Sequence, residues 1–136
     1  MDKTKPVRNL IDAWTRLDLE SLLAQLTEDA VFENIPMEPI VGKPAIRQAL
    51  QAFIAHCAAS PWKLKNIAVT AAGTVLTERD DIFDLKDGRR VHCPVMGAFE
   101  VNDQGRITHW RDYFDLADWN RMMHLDPDFA RRGPPV

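Results

Sequence analysis

The chain predicts an α+β domain: a bent sheet wrapped around N-terminal helices, with a pocket inside. Three observations lead there. Residues 6–58 carry mostly apolar positions at helical spacing, and residues 62–115 carry alternating strand patterns separated by turn signals. Two of those strands also place charged and aromatic side chains on one face. Helices followed by a run of strands is the order of an α+β domain, whose sheet curls over the helices into a cone with an apolar interior and one open mouth. That shape suits a small-molecule pocket better than a flat partner surface.

The elements follow in order. Val7, Leu10, Ile11, Trp14 and Leu17 mark a helix over 6–17, with Pro6 in its first turn. Asp18 is the expected N-cap of a second helix, whose apolar stripe is Leu19, Leu22, Leu23 and Leu26. Residues 30–34 read as a short strand, and Pro36 and Pro39 make the next stretch a loop. A third helix is predicted from Pro44 to Ala58, carrying Ile46, Leu50, Phe53, Ile54 and Cys57 on one face. Four strands then form a meander, closed by Ala-Gly, Lys-Asp-Gly and Asp-Gln-Gly turns. A brief helix over Asp115–Met123 and a Pro- and Gly-containing tail from about residue 126 complete the reading.

A length of 136 residues allows one domain with a real core, so 1–136 is read as a single domain. Hydrophobic residues at 46% and charged residues at 27% are ordinary for a globular chain and argue against long disorder. The net charge of -3, with no basic cluster beyond Arg89-Arg90 and Arg131-Arg132, speaks against a nucleic-acid partner. There is no signal-peptide pattern at the N-terminus and no bilayer-length apolar run, which predicts a cytoplasmic protein without a membrane partner. Cys57 and Cys93 are expected as free core thiols, and the spacing of His56, His92, His109 and His124 implies no metal.

The chemistry lies in TERDDIFDL (77–85) and RITHWRDYFD (106–115). Strand alternation puts Arg79, Asp81 and Phe83 on one face and Trp110, Asp112 and Phe114 on another. If both faces line the same pocket, an arginine stands between two carboxylates inside an aromatic cavity, which is costly unless the charges do chemistry. An Arg-x-Asp pair on a strand is more commonly a cross-strand ion pair on a solvated face. Asp112 and Asn34 in register with it would shift the weight to the functional reading. Asp80, Asp84, His92 and His109 alternate outward.

The segments FENIPMEPIVGKPAI, ERDDIFDL, PVMGAFEV and WRDYFD together resemble the limonene-1,2-epoxide hydrolase family, part of the SnoaL-like and NTF2-like group of conical α+β folds. The likeness runs from about the first helix through Asp115. It implies Asp112 as the base that activates a water, Asn34 as a water-positioning amide, Arg79 as the bridging cation, and Asp81 as the acid that protonates the epoxide oxygen. Phe32, Met37, Phe83, Trp110 and Phe114 are the expected substrate-binding residues for a small hydrophobic epoxide, with no cofactor. One departure stands out: the family carries Tyr-x-Asn where this chain has Phe32-Glu33-Asn34. Tyr113 cannot replace the missing hydroxyl, because it alternates away from Asp112.

Two partly buried carboxylates near one arginine should share a proton at neutral pH, which suits one-step acid/base opening of an epoxide to a vicinal diol. The same fold leaves a ketosteroid-isomerase-like proton transfer and a non-catalytic binding protein as alternatives. The resemblance also implies a homodimer, and an outer sheet face bearing Ile82 and Met96 would be apolar and open in a lone domain.

Overall fold

The computed structural model describes residues 1–123. The predicted tail lies outside the described residues. Among the described residues eleven elements occur in the order α1 (Thr4–Thr15), α2 (Leu19–Leu23), β1 (Leu26–Ile35), β2 (Ile40–Val41), α3 (Lys43–Ile54), β3 (Cys57–Ala59), β4 (Trp62–Val69), β5 (Val75–Leu85), β6 (Arg90–Val101), β7 (Ile107–Tyr113) and α4 (Leu116–Met123).

The strands form one mixed sheet ordered β2-β1-β7-β6-β5-β3, with β4 also paired to β5. β4 to β7 are the predicted antiparallel meander. Gly88 and Gly105 close its last two turns at φ of 94° and 75°, backbone that glycine enters without a Cβ clash. β1 joins the far side of β7 in parallel. The helices pack on the concave face: Val7, Leu10 and Trp14 of α1 and Ile46, Leu50 and Phe53 of α3 share a core with Phe83, Phe99 and Trp110 of the sheet. The sheet curves without closing into a barrel, as the α+β expectation required.

Four boundaries differ from the sequence reading. The helix expected over 6–17 stops at Thr15, because Asp18 N–H bonds Ala13 C=O at 2.8 Å and Leu17 N–H bonds Trp14 C=O at 2.7 Å. That pair of bonds is a Schellman stop, with Leu17 in the left-handed position (φ 53°) that glycine ordinarily marks. Leu26 leaves the second helix and opens β1, where it pairs with Ile107. The strand expected over 30–34 thereby doubles in length. α3 ends at Ile54, and Cys57 instead pairs with Leu85 across β3 and β5.

Asp18 caps α2 as expected, its carboxylate accepting from Ser21 N–H at 3.1 Å and from the Ser21 hydroxyl at 2.6 Å. Both cysteines are free and buried. Ile82 departs from expectation: it is only 8% exposed, whereas Met96 is 52% exposed. β3 and β4 both run along β5 there, and the Ser60 hydroxyl between them donates to the Ile82 carbonyl at 2.7 Å. No helix among the described residues is long and apolar enough to cross a membrane.

Candidate active site

Alternation along β5 buries Thr77, Arg79, Asp81 and Phe83 on the concave face, and β7 adds Trp110 and Asp112. Strand register then ties these residues to others. Asn34 pairs with Asp112, Asp112 with Gly97, and Gly97 with Thr77, so one row crosses four strands from β1 to β5. Parallel to it, Phe32 pairs with Trp110 and Trp110 with Phe99, while Cys93 pairs with Asp81 and Asp81 with Trp62. Neighbouring strands lie about 4.8 Å apart, which brings Asn34 and Asp112 within reach of a single water.

Arg79 is fully buried and uses every N–H it has. Nε donates to Asp81 Oδ1 at 3.0 Å, and Nη2 donates to Asp81 Oδ2 at 2.8 Å and to Asp112 Oδ2 at 3.0 Å. Nη1 donates to Asp112 Oδ1 and to the Thr77 hydroxyl, both at 3.1 Å. Both carboxylates are thus held bidentately by one planar fork. Each of their oxygens retains a lone pair for a further donor. The guanidinium carbon also lies 4.8 Å from the Trp62 ring centre, a cation–π contact in a dry setting.

Burial dominates the electrostatics. Loss of water pushes Asp81 up to about 6, only partly offset by the charge and hydrogen bonds of Arg79, with the Asp112 and Asp80 charges adding to the rise. Burial by itself would lower Arg79, but its two carboxylates outweigh that effect and hold it charged. The Cys93 thiol is pushed up to about 12 by burial and then by the charges of Asp81 and Asp112, so it stays neutral and unreactive.

A cavity of about 70 Å³ opens onto this cluster. Seven of the predicted residues reach its wall: Phe32, Asn34, Asp81, Phe83, Trp110, Asp112 and Phe114. Arg79 lies behind the two aspartates. Met37 is buried in the core, and the structure does not bring it to the cavity wall. The Phe32 ring stacks on Trp110 with centroids 4.1 Å apart, on the same wall as Asn34. Tyr113 is 46% exposed and points to the outer face, as alternation requires. Asp80 pairs with His92 at 3.1 Å and Asp84 with Arg90 at 2.6 Å on that face, and Glu33 pairs with His109.

Sequence reasoning missed Thr77, Gly97 and the aromatic side chains that α3 and α4 lend to the cavity, Phe53 and Trp119. A signal for Gly97 was present, since a glycine inside a strand marks a close approach. Nothing in the pattern of α4 distinguishes a cavity residue from a packing one.

The family model of the limonene-1,2-epoxide hydrolase catalytic domain matches residues 1–124. This chain belongs to the limonene-1,2-epoxide hydrolase family. It is 36% identical to epoxide hydrolase EphG of Mycobacterium tuberculosis over 112 residues, covering 82% of this chain and 72% of EphG. The structure of an M. tuberculosis LEH-like epoxide hydrolase superposes with a TM-score of 0.76 at 33% identity, over 90% of this chain and 89% of that one. An NTF2-like protein of Burkholderia pseudomallei superposes with a TM-score of 0.80 at 17% identity, over 92% of this chain and 99% of that one, a likeness of fold alone. The architecture of this limonene-1,2-epoxide hydrolase family member is therefore the NTF2-like α+β fold expected from its sequence.

Proposed function

We propose that this chain is a cofactor-independent epoxide hydrolase that opens a small hydrophobic epoxide to a vicinal diol in one step. The observation that carries the reading is the Asp81–Arg79–Asp112 cluster, charged, buried and open to a narrow aromatic cavity. Asp112 takes a proton from a water held between it and Asn34, and the water oxygen attacks a ring carbon. The C–O bond opposite breaks, and Asp81 gives its proton to the departing oxygen. The diol holds the added water, and the proton count closes when the proton gained by Asp112 returns to Asp81.

Several features support these roles. The raised Asp81 keeps an acid form available near neutral pH. Arg79 touches both carboxylates, so its charge opposes the negative charge on either side of the proton transfer. Trp110, Phe83 and Phe114 offer an apolar wall to a hydrophobic ring, and the modest volume favours compact substrates. The neutral Cys93 thiol spares the site from alkylation by its own substrate. We extend the proposal to a homodimer formed through the outer sheet face, where Met96 (52% exposed) and Tyr113 (46% exposed) pair across β6 and β7.

The test is a panel of small epoxides and unsaturated ketones, followed by a single turnover in ¹⁸O-water with enzyme in excess. Diol carrying one ¹⁸O in that first turnover, and none in the protein, is the expected result. Unlabelled first-turnover diol would replace the one-step route with a covalent ester. Double-bond migration in a ketone without diol from any epoxide would replace the hydrolase with an isomerase. Binding without turnover of either class would leave a ligand-binding protein.

A further inference from the structure

The guanidinium of Arg79 starts on β5 and reaches Asp112 on β7, so it must pass over β6. The residue it passes over is Gly97, paired with Thr77 on one side and with Asp112 on the other. A Cβ at position 97 would stand 2.5 Å from Arg79 Nη1, 2.7 Å from Thr77 Oγ1 and 3.0 Å from Asp112 Oδ1. All three atoms belong to buried residues fixed by hydrogen bonds, so none can yield cheaply. Gly97 is not among the positive-φ glycines, which means that space, not backbone conformation, requires it.

Thr77 completes the arrangement. Its side chain is buried, and its hydroxyl takes the one Arg79 N–H that neither carboxylate accepts. Without that acceptor the dry cation would carry an unpaired N–H, and the fork would gain by turning toward other partners.

We infer that Gly97 and Thr77 are positioning residues for catalysis: the missing side chain of one and the hydroxyl of the other hold the Arg79 fork in the single orientation that grips both aspartates. The inference rests on the proposed acid and base roles for its effect on turnover, though its geometry stands apart from them. Neither residue touches substrate; they act through Arg79. Gly97→Ala displaces the guanidinium from above β6 and breaks the Asp112 half of the fork first. Thr77→Val keeps the shape of the side chain and removes only the acceptor, and Thr77→Ser restores it.

The experiment reads the fork directly and then reads turnover. In ¹⁵N-arginine-labelled, ligand-free protein, a guanidinium with all N–H groups bonded rotates slowly, giving separate, exchange-protected Nη proton signals for Arg79. We expect Gly97→Ala and Thr77→Val to lose that signature and Thr77→Ser to keep it. On an epoxide turned over by the wild type, kcat should fall ~100-fold in Gly97→Ala, the scale of a misplacement near 1 Å, and ~10-fold in Thr77→Val, with KM little changed. Thr77→Ser should return to within about twofold of wild type.

A wild-type Arg79 signature and kcat in folded Gly97→Ala or Thr77→Val overturns the inference, even if the melting temperature falls. Should Gly97→Ala not fold, the Thr77→Val and Thr77→Ser pair decides the matter by the same signals. A lost signature in a protein whose wild type opens no epoxide would sink the proposed reaction and leave the positioning role standing.

Discussion

Replacing Asp81 by asparagine should make stability less sensitive to pH in a defined direction. In the folded protein burial raises the Asp81 carboxyl from 3.8 to about 6. Between those values the folded chain holds a proton that the unfolded chain has released, so stability falls as pH rises. The rise of roughly 2 pH units, at about 1.4 kcal/mol each, corresponds to about 3 kcal/mol of stability present at pH 3.5 and lost by pH 7. Asp81→Asn cannot ionise and escapes this loss. Carboxylates held low by their partners, such as Asp84 beside Arg90 and Glu100 beside Arg111, slope the other way at acid pH. They are common to both proteins and cancel in the difference.

The assay is urea unfolding followed by tryptophan fluorescence at several pH values from 4 to 7. We expect the variant to gain on wild type by about 2 kcal/mol across that range, since part of the effect is already lost at pH 4. A flat difference, or one that favours wild type as pH rises, would refute the reasoning. It would mean that the attraction of Arg79 outweighs the cost of burial, leaving Asp81 an ordinary ion-pair partner with no proton to give.

Four further outcomes are expected. If Asp81 is the acid, kcat/KM should decline above an apparent pKa of about 6, because the proton it must donate is gone; a rate rising through that region would reverse the acid and base assignment. Asp112→Asn should lower kcat by ~10³-fold or more in a folded protein, as loss of a general base does. Near-normal turnover in it would remove Asp112 from the mechanism. Arg79→Lys should cost ~100-fold in kcat, since three N–H donors on a flexible stem cannot make the five bonds at 2.8–3.1 Å, and wild-type kinetics would mark Arg79 as structural only. Phe32→Tyr places a hydroxyl on the wall shared with Asn34 and should raise kcat/KM on small epoxides; an unchanged or lower value in the folded variant would show that the missing hydroxyl does not limit this site.

Much of this protein could be read from local rules acting on neighbouring residues. The period of apolar positions located α1 and α3, Asp18 announced the start of α2, and glycine-bearing turns set the meander. Strand alternation put Arg79 and Asp81 on one face, and Asp112 with Trp110 on another, because the pleat leaves no choice. Local rules failed where a distant contact overrode them. Cys57 leaves a helical pattern because β5 offers a partner for its backbone, and Leu26 leaves one to pair with Ile107 on β7.

Neighbouring residues set the inventory and the faces: which side chains are available, and on which side of each element they stand. Which faces meet depends on pairing between strands far apart in the chain. The parallel pairing of β1 with β7 sets Asn34 beside Asp112, and the curvature of the sheet turns the β5 and β7 faces toward one cavity. The same packing keeps Met37 in the core, away from the wall it was expected to join, and leaves Ile82 buried where an open outer face was expected. Gly97 shows the reason most plainly. Within its own strand it is only a weak β-former, and its value appears when the register brings Thr77 and Asp112 to either side and a guanidinium fills the space between them.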